Sequence, residues 1–317
     1  MDRSPEESLT RAEGLYFADC GLIIRADAVL FRVSGNFLAT QSTVFRDLLS
    51  FPQPEDAETV DGCPVVRVQD ASQDVETFLK ALIYPSFFEP PPSAARFTTI
   101  ASVLRLSHKY DVDWLEKRAL SHLAACHPTR LDDWNNLFKL KHSFIRSATP
   151  QLAVSVVKLA RELSIDWILP TALYRLARVR DPHHVLKSTL DPEDKLSWAI
   201  AVRRLDREWR ARSLDYLLAP CTNASPECLA ARIAQRQRLS NQNDGSIGGE
   251  PTYVLPLDTW WNPNWQLFAA SGVCASCVAG TKRLRREAQQ TVWDELPGIF
   301  RLDDWATLEN RKKQALQ

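Results

Sequence analysis

Apolar residues along the chain change their period several times, and each change marks an element. Gly21 to Arg25 and Val29 to Val33 read as two short strands joined by a turn around Asp27. In the second, Phe31 and Val33 lie on one side of a period-two pattern and Arg32 on the other. The stretch FRVSGNFLATQSTVFRDLLSFPQP then turns helical, crowding Phe37, Leu38, Val44, Phe45, Leu48 and Leu49 into two short segments. Ser42 is placed to cap a helix starting at Thr43, its hydroxyl accepting an otherwise unpaired backbone N–H. FPQPEDAETVDG is a proline- and acid-rich exposed loop, and CPVVRV, 63–68, a third strand. Ser72 is expected to cap a helix carrying Val75, Phe78, Leu79, Leu82 and Ile83, which Pro85 stops.

After a turn or linker at EPPPS, 89–93, two more helices are predicted, Phe97 to Tyr110 and Trp114 to Cys126. Asp113 and Glu116 form a capping-box-like start for the second, and Pro128 ends it. From there to about Leu218 only helices are legible. Leu152, Val156, Leu159, Ala160 and Leu163 make an amphipathic stripe, Pro170 suits a first helical turn, and DPED, 191–194, opens a helix with Leu196, Ile200 and Leu205. Past Pro220 the pattern changes: NQNDGSIGGEP, 241–251, is a flexible polar loop. TVWDELPGIFRLDDWATLEN is expected to form two short apolar turns with Trp293, Leu296, Phe300, Leu302, Trp305 and Leu308. The polar, acid-rich residues 1–14 are expected to be a disordered leader without a signal-peptide core.

Composition narrows the function classes. With 317 residues, 45% of them hydrophobic, the chain has room for two or three packed domains. Lysine plus arginine equal aspartate plus glutamate at 39 each, so no overall field draws the molecule to nucleic acid or an anionic membrane. The basic run at 282–286 reads as a solvated helix face. No apolar run reaches the roughly 18 residues of a transmembrane helix. An intracellular location, cytoplasmic or nuclear, is the expectation, with the seven cysteines reduced and their odd number arguing against a closed disulfide set.

Three stretches carry a resemblance: FRV at 31–33, STVFRDLLS at 42–50 and LSHKYDVDWLEKRAL at 106–120. With the order of elements around them, residues 15–127 resemble a BTB/POZ domain. LARELSIDWILPTALYRLA, 159–177, and VWDELPGIFRLDDWATL, 292–308, resemble BTB proteins abundant in mushroom-forming fungi. The resemblance implies an α+β BTB domain, a small sheet flanked by helices, over 15–127. A mainly α-helical BACK-like region follows over 128–218, then a cysteine-bearing C-terminal region with Trp-rich helices over 219–317. The family often has a histidine after the FRV-like strand to pin helix to strand; Ser34 stands there in this chain.

The family commonly dimerises through its first helical pair, which implies that Phe37, Leu38 and Gln41 face a second copy across a two-fold axis. For Phe45 and Leu48 the inward orientation is expected instead. Many family members serve cullin-type ubiquitin ligases through a hydrophobic-x-Glu triplet. The equivalent residues here are Gln53, Pro54 and Glu55, and the polar Gln53 forgoes about 1.5–3 kcal/mol of side-chain burial.

Cys274 and Cys277 have the spacing with which two thiolates share one tetrahedral ion. Cys221 and Cys228, separated by six residues, converge with them if the segment folds back, giving one structural zinc ion per chain. Buried inert thiols and a redox pair are the other readings, the last lacking its βαβ setting. His122 with Cys126, and His183 with His184, lack further ligands; a surface histidine and a packed cysteine are expected at 122 and 126. The ten tryptophans are expected as packing anchors. No GxSxG, HExxH, GxxxxGK[ST] or GxGxxG is present. The expected function is a non-enzymatic homodimeric adaptor or scaffold, with a cullin as candidate partner. The alternatives are a transcriptional regulator with a structural zinc site in its C-terminal region, and a metal-dependent enzyme.

Overall fold

The computed structural model describes residues 9–51, 57–137, 149–179, 181–208, 215–221, 225–243, 255–257 and 265–317. The chain divides into two compact units, residues up to Cys126 forming most of the first and His127 onwards most of the second.

The first unit is built on five strands: β1 (Thr10–Tyr16), β2 (Leu22–Ala26), β3 (Val29–Val33), β4 (Thr59–Val60) and β5 (Cys63–Val68). Their order in the sheet is β1-β3-β2-β5-β4. The β2–β3 hairpin is antiparallel, Leu22 facing Val33 and Ala26 facing Val29, whereas β1 joins β3 and β5 joins β2 in parallel. The hairpin turns at Asp27, whose φ of 51° lies in the left-handed region that aspartate tolerates. One face of the hairpin buries Leu22, Ile24, Ala26, Phe31 and Val33, and the other buries Ile23 and Leu30 against Cys63. Thr10–Tyr16 corrects the expected leader, which ran to residue 14. A largely exposed edge strand gives little apolar signal, and the pairing with β3 supplies the order.

Five helices complete this unit: α1 (Gly35–Gln41), α2 (Thr43–Ser50), α3 (Ser72–Ile83), α4 (Phe97–Lys109) and α5 (Asp113–Cys126). Ser42 caps α2 as expected, accepting from the Phe45 N–H at 3.0 Å, and Ser34 caps α1 in the same way through Phe37. Two expected caps differ. Ser72 is already helical, and its N–H is satisfied by the Asp27 carboxylate at 2.8 Å, so the cap comes from across the fold. Asp113 is the first helical residue of α5, and Glu116 reaches His108 Nδ1 at 3.0 Å instead of closing a capping box. Tyr110 organises the helices. Its ring stacks on Phe45 at 4.7 Å and meets Phe78 at 5.8 Å, while its hydroxyl donates to Asp70.

The described residues of the second unit are helical: α6 (Leu131–Asn136), α7 (Pro150–Glu162), α8 (Leu169–Ala177), α9 (Pro182–Leu186), α10 (Pro192–Glu208), α11 (Pro226–Asn243), α12 (Trp265–Ala270), α13 (Ala275–Ile299) and α14 (Trp305–Leu316). Tryptophans anchor it. Trp134 donates to the Leu257 carbonyl at 3.1 Å, meets Tyr174 edge-on and lies 5.9 Å from Trp293, which stacks on Trp305 at 5.0 Å. The expected short turn at 292–299 is instead the end of α13, 25 residues long, because its polar N-terminal part continues the same helix. Leu205 is buried on α10, but Leu196 and Ile200 point outward. Among the described residues no helix is long and apolar enough to cross a membrane.

Candidate functional site

Two features of the structure offer chemistry or recognition, one in each unit. The first is the outer face of α1 and α5. Leu38 is 0% exposed, enclosed within its own chain, so it leaves the expected dimer face: adjacent residues on one helix point in different directions, and Leu38 takes the inward one. Phe37 is 37% exposed and Gln41, one turn further on, is half-buried. The Gln41 amide oxygen accepts from the indole N–H of Trp114 at 3.0 Å. Trp114 is itself 37% exposed, and the Arg118 guanidinium sits over its ring at 4.9 Å. Phe45 is buried and Leu48 half-buried. Gln53 and Glu55 lie outside the described residues.

Trp114 had a sequence signal that periodicity reasoning passed over. It stands beside Leu115 in a helix, and only one of two neighbours can face the core; Leu115 does. The exposed tryptophan therefore departs from the expectation that this residue type serves here as packing anchor.

The second feature is the cysteine cluster. Cys221 follows a short turn of 3-10 helix at Asp215–Leu218, and Cys228 lies in the first turn of α11. Cys274 is the N-cap of α13 and Cys277 lies in that helix's first turn. The four sulfur atoms, far apart in sequence, all lie within 4.8 Å of one another. Cys274 Sγ is 3.7 Å from both Cys221 Sγ and Cys228 Sγ, and its N–H donates to Cys228 Sγ at 3.4 Å. All seven cysteines of the chain are free thiols. Around the cluster pack Leu217, Phe268 and Val273, so the sulfurs sit in an apolar setting at the N-termini of two helices. Positive helix ends and backbone N–H groups favour thiolates there.

The donor set fits a metal ion. Tetrahedral coordination with metal–sulfur bonds of about 2.3 Å sets sulfurs about 3.8 Å apart, close to the 3.7 Å found between Cys274 and two of its partners. Burial, together with hydrogen bonding of its S–H toward the other three sulfurs, pushes the Cys277 thiol up to about 12. Four neutral thiols are poor partners for one another, and a dication bound by all four would make their convergence favourable. The buried guanidinium of Arg232, on α11 one turn past Cys228, was not anticipated, since an arginine in a polar helix carries no burial signal.

The other described histidines lie away from the cysteine cluster's ligand set. His122 is buried, correcting the expected surface histidine; its Nε2 meets the Glu89 carbonyl at 2.8 Å and burial lowers its pKa. His127 is enclosed, its Nδ1 3.1 Å from Thr171 Oγ1, and burial with the Arg175 charge nearby holds it well below the ordinary histidine range. His183 and His184 occupy the short α9, and the run 282–286 lies on α13, where Arg283 pairs with Glu287 and Arg286 with Asp132. Comparison with protein-family models, with curated proteins and with solved structures finds no match to this chain.

Proposed function

We propose that the chain is a non-enzymatic protein–protein interaction module of the BTB/POZ type that pairs with a second copy of itself and acts as an adaptor or scaffold. The observation that carries this reading is the face on which Phe37 is exposed and Gln41, one turn further on, accepts from Trp114, with Arg118 over the indole. Exposed aromatic rings with an adjacent guanidinium are the side chains that dominate binding energy at protein interfaces. Such a face, repeated across a two-fold axis, gives an isologous contact. The strand and helix order of the first unit, with the α1–α2 pair following β3, supports the family assignment. Cullin recruitment rests on Gln53 and Glu55 alone and is the weaker part of the adaptor reading.

In the second unit, Cys221, Cys228, Cys274 and Cys277 would hold one structural zinc ion. Four protein ligands leave no position for water or substrate, so the ion would supply a cross-link between the segment before α11 and the start of α13, and no catalysis.

Sedimentation velocity at micromolar concentration tests the pairing. The wild type is expected to sediment as a dimer and Phe37→Glu as a monomer. A monomeric wild type overturns the self-association. Native mass spectrometry of the same material is expected to show one zinc per chain, and pull-down with a cullin N-terminal domain tests that partner directly.

A further inference from the structure

Arg232 occupies a position that neutral thiols do not explain. It lies four residues after Cys228 on α11, hence on the same helix face, and it is only 1% exposed. Its Nη1 donates to the carbonyl of Ala219, two residues before Cys221 in the chain. Its Nε and Nη2 are buried and find no partner among the described residues. A guanidinium does not shed its proton in a protein, so this one remains charged in an apolar setting with two N–H groups unused. Such a charge is tolerated when an anion faces it. No carboxylate is paired with Arg232 among the described ion pairs.

Four thiolates around a dication carry a net double negative charge. We infer that Arg232 is the fixed counter-charge of this site, a cation built into the cluster so that a dication bound by all four thiolates becomes tolerable in an apolar interior. The inference rests on the zinc reading above and adds what that reading lacks, a fixed charge that offsets half of the excess negative charge of the complex. It also fixes the class of ion: a thiophilic divalent metal that takes sulfur tetrahedrally, with zinc as resident and cobalt(II) as spectroscopic stand-in. Arg232 touches no metal in this role; it holds a positive charge on the Cys228 side of α11 while its Nη1 donates to Ala219.

A merely structural role, clamping the Ala219 carbonyl, would change folding stability but leave metal affinity alone. The test is therefore zinc affinity of the full chain by chelator competition, for wild type, Arg232→Met and Arg232→Lys, alongside the cobalt(II) absorption spectrum. Arg232→Met is expected to weaken zinc binding about 10–100-fold, the usual consequence of losing an outer partner of a metal ligand, with the four-thiolate cobalt spectrum kept. Arg232→Lys, which keeps the charge but not the planar fork, is expected to stay within about threefold of wild type. Wild-type affinity in Arg232→Met overturns the inference. If Arg232→Met does not fold, Arg232→Lys carries the test: a loss of about tenfold or more there shows that geometry and not charge is used, and likewise overturns it. A wild-type chain that takes up neither zinc nor cobalt fails at the earlier step, and refutes the metal reading itself.

Discussion

Ser42 joins the helical pair carrying Phe37 to the end of α4, and its removal should cost more than the loss of a helix cap. Its hydroxyl is 2% exposed, accepts from the Phe45 N–H and donates to the carbonyl of Tyr110. The first bond is local, and deleting an N-cap costs about 1 kcal/mol. The second spans two elements, and leaving a buried carbonyl without its donor costs about 1–3 kcal/mol more. Ser42→Ala should therefore lose about 2–4 kcal/mol in total. Ser34→Ala is the internal control, because Ser34 makes only the cap of α1, worth about 1 kcal/mol. Hydrogen exchange read by mass spectrometry on peptides covering α1, α2 and the α4–α5 turn resolves the two cases without requiring a single unfolding transition. The difference of about 1–3 kcal/mol corresponds to exchange about 5–150 times faster in Ser42→Ala than in Ser34→Ala. Equal exchange in the two variants would refute the reasoning, showing that the Tyr110 bond contributes nothing net or that the carbonyl finds another donor.

Acid should release the metal from the cysteine cluster, since burial raises the Cys277 thiol and each thiolate recovers a proton as pH falls; zinc retention against pH, with Cys277→Ser releasing its ion at higher pH than wild type, checks this. The buried neutral His127 predicts a second acid effect. Its folded pKa lies below the ordinary 6.5, so its contribution is fully present above that value and is lost as pH falls through the window beneath it, where only the unfolded chain takes the proton. Urea unfolding of wild type and His127→Gln at neutral pH and near pH 5, both with excess chelator so that no ion is bound at either pH, should show a smaller acid loss in the variant. Asp194 is enclosed while its partner Arg161 is half-exposed, with Nη2 and Oδ1 2.7 Å apart. Because Arg161 can turn to water, Asp194→Ala should cost about 1–3 kcal/mol, less than the 3–5 kcal/mol of a fully enclosed pair, and a thermal shift within error would contradict this.

Much of the fold was legible because its signals are local. CPVVRV is a strand from Cys63 to Val68 as expected, Ser42 and Pro170 sit where helix starts want them, and Pro85 follows the end of α3. Expectations failed where a partner distant in sequence decides. Thr10–Tyr16 is ordered by pairing with β3; the start of α3 is capped by Asp27; Glu116 turns to His108. The Trp293 segment was read as a short turn because the polar residues before it hide a helix that needs no apolar stripe over its whole length.

The amino-acid sequence by itself determined where most of the strands and helices form and which seven residues carry thiols. Periodicity, caps and prolines act over a few residues, and those preferences travel with the chain. The tertiary structure alone decided which of those residues meet. It turned Leu38 inward and left Phe37 outward, brought Trp114 to Gln41, gathered four sulfurs from two segments into one cluster, and enclosed Arg232 beside them. Convergence of that kind depends on how whole faces pack, a property of the assembled core that no short window of sequence contains.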